Sequence, residues 1–71
     1  MRTIILFEAI HQLLKTEKLL KERKLWYEIV PTPRELSSDC GSSLNIKLDQ
    51  KELIELLLNE HGVKYSGINT I

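Results

Sequence analysis

The single cysteine of the chain, Cys40, lies in a polar segment whose side chains have the chemistry to act on a thiol. Ser37 and Ser38 carry hydroxyls that could donate hydrogen bonds to a thiolate. Gly41 lacks the Cβ that would crowd the sulfur, so the reactive group of a partner can approach closely. Arg34 supplies a positive charge that favours the thiolate. One interpretation of these residue types is a nucleophilic cysteine in a functional loop.

The opposite interpretation is that Cys40 is a small buried apolar residue, as many lone cysteines are. Its neighbours Asp39 and Gly41 lie in a serine-rich segment rather than among apolar side chains. The Asp39 carboxylate also works against a thiolate through repulsion between like charges. The residues by themselves leave both interpretations open.

Length and charge limit the classes of protein to which the chain can belong. Its 71 residues predict a single domain over 1–71, and 42% of them are hydrophobic, enough for a packed core. Ten basic residues balance ten acidic ones. Nucleic acids and anionic membranes favour strongly basic partners, so we expect the protein to bind neither. The aromatic pair Trp26–Tyr27 is too isolated to form a platform for stacked bases.

The cysteine and histidine content predicts neither a metal site nor a cofactor. One cysteine allows no internal disulfide, and His11 and His61 occur in no spacing typical of metal ligands. The apolar run at residues 1–7 stops at Glu8 and has no small-residue cleavage site, so we interpret it as a strand rather than a signal peptide. No stretch approaches the ~20 apolar residues that cross a bilayer. We therefore expect a reducing, cytoplasmic location.

The elements that must position this segment follow from changes in hydrophobic periodicity. A continuous apolar run predicts a first strand, a helical period predicts a first helix, and alternation predicts the following strands. Asp49 and Glu52 have the spacing of a capping box, which predicts the start of a second helix, and Gly62 predicts its end. The predicted elements are a strand at Ile4–Phe7, a helix at Ala9–Arg23, a strand at Leu25–Val30, a loop at 31–42, a strand with Leu44, Ile46 and Leu48 inward, a helix from Asp49 to Gly62, and a strand at Val63–Ile68.

The resulting β-α-β-β-α-β order predicts an α+β, ferredoxin-like two-layer sandwich. Two right-handed crossovers joined by a hairpin give a four-stranded antiparallel sheet with both helices on one face. The first and third strands should be central, which agrees with the continuous apolar run at Ile4–Phe7. Because this fold supports many functions, it does not by itself indicate an activity.

The loop at 31–42 is longer than the two to five or so residues that a hairpin usually needs, and long ordered loops often carry function. It contains Pro31-Thr32-Pro33-Arg34-Glu35-Leu36-Ser37-Ser38-Asp39-Cys40-Gly41. This segment resembles the Pro-Thr-Pro-Arg-Glu-aliphatic-Ser-Ser-x-Cys-Gly segment of a small bacterial family of selenium/sulfur carrier-like proteins. The similarity extends to the stretch 17–21 and to the total length, while Lys24 stands where relatives tend to have a glycine that ends the first helix.

The resemblance implies a thiol carrier rather than an enzyme. Cys40 would accept sulfur or selenium as a persulfide or selenosulfide, with Arg34 stabilising charge, Ser37 and Ser38 donating hydrogen bonds, and Gly41 giving access. It further implies a donor protein similar to a cysteine desulfurase, and an acceptor that the sequence does not identify.

A second hypothesis needs no sulfur chemistry. Arg34 and the backbone amides after Pro33 could hold a carboxylate or a phosphate, so that residues 31–42 would be the anion- or peptide-binding loop of a non-catalytic regulatory module. The reactivity of Cys40 separates the two hypotheses, because a carrier requires a thiol that is alkylated rapidly at neutral pH.

Two further expectations concern contacts. Glu17, at the edge of the apolar stripe of the first helix, is either a carboxylate that reaches solvent or a partner of Arg34. Leu53, Ile54, Leu56, Leu57 and Leu58 span an arc of the second helix wider than one sheet face can bury, and Trp26 with alternate residues of Ile4–Phe7 should lie on the uncovered sheet face. Two apolar surfaces on so small a protein predict a homodimer.

Overall fold

The computed structural model describes residues 2–36 and 40–71 of the chain. Its elements, in chain order, are β1 (Thr3–Leu6), α1 (Ile10–Glu22), β2 (Tyr27–Pro31), β3 (Ser42–Ile46), a single 3₁₀ turn (Leu48–Gln50), α2 (Lys51–Glu60) and β4 (Gly67–Thr70). This order is the predicted β-α-β-β-α-β arrangement.

The four strands form one antiparallel sheet in the order β2-β3-β1-β4. The first and third strands are therefore central, as the sequence predicted. Ile5 pairs with Leu44 on one side and with Ile68 on the other, so these three side chains share a face of the sheet. The arrangement confirms the ferredoxin-like fold.

Both helices cover the face of the sheet that carries Ile5 and Leu44. Alternate strand residues cluster there with the inward sides of α1 and α2, because the period of two in a strand and of 3.6 in a helix each present one apolar face. The buried residues of this core are Ile5, Phe7, Leu13, Leu20, Cys40, Leu44, Ile46, Ile54, Leu58 and Val63.

The opposite face of the sheet differs from the expected apolar surface. Ile4 and Leu6 point to it but are buried within the monomer, and Ile4 lies between Asn45 and Asn69 in the register. Of the apolar residues expected there, Trp26 is the one that is exposed. The uncovered face is therefore largely polar, and it does not support the expected association through apolar contacts.

Both helices end in a Schellman motif. After α2, the amide of Gly62 donates to Asn59 and that of Val63 to Leu58, with Gly62 at φ 65°. The sequence predicted this stop. After α1, the amides of Lys24 and Leu25 make the equivalent hydrogen bonds to Lys21 and Leu20, with Lys24 at φ 57°. A lysine thus occupies a left-handed position that normally favours glycine.

Several predicted boundaries were wrong for identifiable reasons. Asp49 makes no side-chain cap, because the 3₁₀ turn that contains it leads directly into α2. Leu48 belongs to the same turn and is exposed rather than inward. Pro31 remains in β2 and pairs with Ser42, which an edge strand allows because its outer side needs no donor. The last strand begins at Gly67 rather than at Val63.

Neither helix in the described part of the chain has the length and the apolar character that a bilayer-spanning helix requires.

Candidate thiol site

The Cys40 segment is fastened at its base by an extension of the β2–β3 ladder. Beyond the last strand pair, Pro31 with Ser42, the amide of Thr32 donates to the carbonyl oxygen of Gly41 at 3.0 Å. The connection between the strands is thereby reduced from the predicted 31–42 to residues 33–40. Cys40 is the last residue of this connection, directly before the chain re-enters the ladder at Gly41.

The hydroxyl of Thr32 links both sides of this base. Its Oγ1 donates to the carbonyl oxygen of Cys40 at 2.8 Å and lies 2.7 Å from Oγ of Ser43. Ser43 is fully buried, so its hydroxyl depends on this contact. The sequence analysis missed the role of Thr32. The hydroxyl of Thr32 was the available signal, but the register that brings it to Cys40 and Ser43 was not known.

Cys40 itself is buried, with 7% of its surface exposed, and it belongs to the core under the helices. The carrier hypothesis required an exposed thiolate, whereas in this conformation the side chain faces the core. The interpretation of Cys40 as a small buried residue therefore describes its packing correctly. It lies three residues before buried Ser43 and directly before exposed Gly41.

The other proposed site residues are placed differently from Cys40. Arg34 is exposed in a turn closed by a hydrogen bond from the amide of Leu36 to the carbonyl oxygen of Pro33. Its guanidinium makes no ion pair with a residue in 2–36 or 40–71. Gly41 is exposed, and a Cβ there would meet no atom of the described residues within 4 Å. The folded chain does not require glycine at this position, and the space remains free for an approaching group.

Ser37, Ser38 and Asp39 lie outside the residues that the structure describes, so their predicted contributions to the site remain predictions.

Glu17 pairs with Tyr27 and Lys21 instead of Arg34. The phenol of Tyr27 donates to Oε2 of Glu17 at 2.8 Å, and Nζ of Lys21 lies 3.9 Å from the same oxygen. Partial burial, followed by the hydrogen bond to the Glu17 carboxylate and its negative charge, raises the pKa of Tyr27 above its ordinary value of 10.0. This contact joins α1 to edge strand β2 and has no counterpart in the predicted site.

A surface groove lies at the far end of the sheet from Cys40. It has a volume of about 640 Å³, and Trp26, Lys47 and Leu48 contribute to its wall. Nζ of Lys47 stands 6.0 Å from the centre of the Trp26 ring, within the range of a cation–π contact. Since Trp26 precedes β2 and the Cys40 segment follows it, the full length of that strand separates the groove from the thiol.

Among residues 2–36 and 40–71, no three His, Cys, Asp or Glu side chains come together in a way that could hold a metal ion. Both histidines are exposed, His11 in α1 and His61 directly after α2.

Taken together, the fold and the site describe a small ferredoxin-like domain with one cysteine held at the base of its β2–β3 loop. The family described as "Putative Se/S carrier protein-like" matches residues 2–69, and the chain belongs to this family. Comparison with curated proteins and with solved structures finds no match in either set.

Proposed function

We propose that the protein carries sulfane sulfur or selenium on Sγ of Cys40. The observation that supports this most strongly is the position of the single cysteine in a chain of the Se/S carrier-like family. Cys40 lies at the base of the surface loop, between the Thr32 anchor and exposed Gly41.

The transfer step needs no external oxidant. The thiolate of Cys40 attacks the outer sulfur of a persulfide on the donor, and a new S–S bond forms as the bond within the donor persulfide breaks. The donor leaves as a thiolate, and Cys40 becomes a persulfide. The reverse exchange with an acceptor thiolate passes the sulfur on and restores Cys40. With selenium, the corresponding product is a selenosulfide.

Burial of Cys40 requires that the thiol be exposed before it reacts. Exposure means breaking the contacts of Thr32 with Cys40 and Ser43, at the point where the ladder ends. Oxidation of a thiol follows its accessibility, so a covered thiol is protected between transfers. A donor that binds beside Gly41 would thus meet a thiol that becomes reactive only when this end of the ladder opens.

The neighbouring residues contribute to this proposal in different ways. Exposed Arg34 is available to stabilise the charge that passes from one sulfur to the other, and open space at Gly41 admits the donor persulfide. Ser37 and Ser38 would donate hydrogen bonds to the thiolate. The implied donor is a protein similar to a cysteine desulfurase, and the proposed location is the reducing cytoplasm.

Mass spectrometry of the intact protein after incubation with a cysteine desulfurase and cysteine tests the proposal. The expected product is heavier by one sulfur atom, reverts on reduction and is absent from Cys40→Ser. Arg2→Ala, a charge change at the exposed N-terminal end, is the matched control and should load normally. If wild type gains no sulfur after Cys40 has been shown to be alkylated in the native state, the carrier function is wrong.

The burial of Cys40 favours a second candidate function, a binding module in which the cysteine only packs. In that case exposed Arg34 and the turn at 33–36 would hold an anionic group. Cys40→Ala would then retain the function in cells, whereas Arg34→Ala would lose it. The carrier proposal predicts loss of function in Cys40→Ala.

A further inference from the structure

Charge is divided between the two helices, although the chain as a whole is neutral. Residues 10–24, which include α1, carry five cationic and two anionic side chains, for a net charge of +3. Residues 49–60, which include α2, carry one cationic and four anionic side chains, for a net charge of −3. The remaining residues are neutral in sum, so the helical layer is a basic strip beside an acidic one.

Each helix also exposes a pair of large apolar side chains. Ile10 and Leu14, one turn apart on α1, are each 52% exposed. Leu53 and Leu56 on α2 are 45% and 55% exposed. Since the inward residues of both helices already fill the core, these four side chains remain on the outside of the folded monomer.

The topology makes this surface complementary to a second copy of itself. Each helix runs opposite to the strand that precedes it, and β1 and β3 are antiparallel, so α1 and α2 run in opposite directions on one sheet face. A two-fold axis that lies between two facing helical layers, parallel to the helices, turns one layer over and exchanges the lateral positions of α1 and α2. This rotation places each α1 over the α2 of the other copy.

We infer that the protein forms a two-fold dimer through its helical layers, with basic α1 of each copy on acidic α2 of the other. The contact buries Ile10 and Leu14 against Leu53 and Leu56, and it brings charges of opposite sign together twice. A partner of a single sign would be attracted by one helix and repelled by the other, whereas a second copy satisfies both.

The sequence predicted a dimer through one of two apolar surfaces, the leucines of the second helix or the open sheet face. This interface uses the α2 leucines together with α1 and leaves the largely polar sheet face free. The β2–β3 loop with Cys40 belongs to the sheet and is not part of this interface. Dimerisation and the proposed sulfur transfer are therefore tested independently.

A charge-reversal experiment in analytical ultracentrifugation tests the inference. Lys15→Glu/Lys18→Glu makes both helices acidic, and Glu52→Lys/Glu60→Lys makes both basic; all four positions are exposed. Each variant should dimerise at least about tenfold more weakly than wild type, and an equimolar mixture of the two should recover the dimer. Circular dichroism and thermal melts confirm that each variant is folded.

A matched control separates local pairing from net charge. Arg2→Glu/Lys64→Glu changes the total charge as much as Lys15→Glu/Lys18→Glu does, but outside the two helices. It should dimerise like wild type. Leu56→Ser, which removes an apolar contact without a change in charge, should weaken the dimer at all salt concentrations, whereas the effect of the charges should diminish as salt rises.

The inference is overturned if wild type sediments as a monomer of 8.3 kDa throughout the micromolar range. It is equally overturned if the reversed variants dimerise like wild type, or if their mixture fails to recover the dimer.

Discussion

Replacement of Thr32 by valine should accelerate the alkylation of Cys40 in the native protein. The substitution keeps the shape of the side chain and removes one hydroxyl, which donates to the carbonyl oxygen of Cys40 at 2.8 Å and contacts Oγ of Ser43 at 2.7 Å. Because Cys40 is 7% exposed, a reagent reaches its sulfur mainly after this end of the ladder opens.

The size of the effect follows from the buried hydroxyl of Ser43. Without Thr32 Oγ1, this group loses its partner in the closed state, and a buried polar group without a partner costs about 1–3 kcal/mol. In the open state water satisfies it, so the cost falls on the closed state alone. At about 1.4 kcal/mol per factor of ten, opening and alkylation should increase about 5- to 150-fold.

The assay measures the rate of reaction with iodoacetamide at neutral pH, with the free energy of unfolding determined in parallel by urea denaturation. Thr16→Val is the matched control, because Thr16 is also fully buried and its hydroxyl donates to the carbonyl oxygen of Gln12 at 2.9 Å. That oxygen keeps its helical backbone hydrogen bond, so the rate in Thr16→Val should stay near that of wild type.

Two results would refute the reasoning. An unchanged rate in Thr32→Val would mean that this hydroxyl does not control access to Cys40. A similar acceleration in Gly62→Ala, which weakens the distant end of α2, would mean that the thiol is exposed by global unfolding rather than by local opening of the loop base.

Further predictions concern a helix end, a titration and the transfer step. Lys24→Gly should stabilise the fold by about 1 kcal/mol and raise Tm by about 4–8 °C, because glycine adopts the left-handed conformation without strain. Gly62→Ala should destabilise the fold by a similar amount. Changes in stability of the opposite sign would refute the role of these left-handed positions. In Tyr65→Phe, where Tyr27 is the only tyrosine, tyrosinate absorbance should titrate above pH 10.0, and a midpoint at or below that value would contradict the Glu17 contact. Because folding raises the pKa of Tyr27, its contribution to stability is complete below pH 10 and is lost as pH rises through the raised value. Urea denaturation at alkaline pH should show this loss of stability in the wild type, and Tyr27→Phe should abolish it. Arg34→Ala should slow sulfur loading of Cys40 by less than about fivefold, since water screens an exposed charge, and an unchanged rate would remove Arg34 from the site.

The fold could be predicted from the sequence because its periodic segments are unambiguous. The continuous apolar run around Ile5 indicated a central strand, and Gly62 indicated the end of α2. Local signals that compete with tertiary structure were less informative. Asp49 has the spacing of a helix cap, yet the chain enters α2 through a 3₁₀ turn. Pro31 suggested the end of a strand, but an edge strand such as β2 can contain a proline.

The candidate site was predictable in residue type but not in exposure. A loop of serine, glycine and charged residues suggested an accessible Cys40, whereas burial of that side chain depends on the register of β2 with β3. The same register brings Thr32 to Cys40 and Ser43. Glu17 and Tyr27 meet only because α1 lies over the edge strand, a contact between residues that no local pattern connects.

The pairing of β1 with β4 determines when the protein can fold during its synthesis. β1 is central, yet one of its two neighbours is formed by residues 67–70, and backbone hydrogen bonds join Arg2 to Ile71. A nascent chain that ends before this segment has an open edge beside its most apolar strand. At a few to about twenty residues per second, that strand waits several seconds for its partner. The sheet is therefore complete only after residues 67–70 have been synthesised, and until then β1 lacks one of its two neighbours. The large sequence separation of this pair also makes it a slow step by contact order.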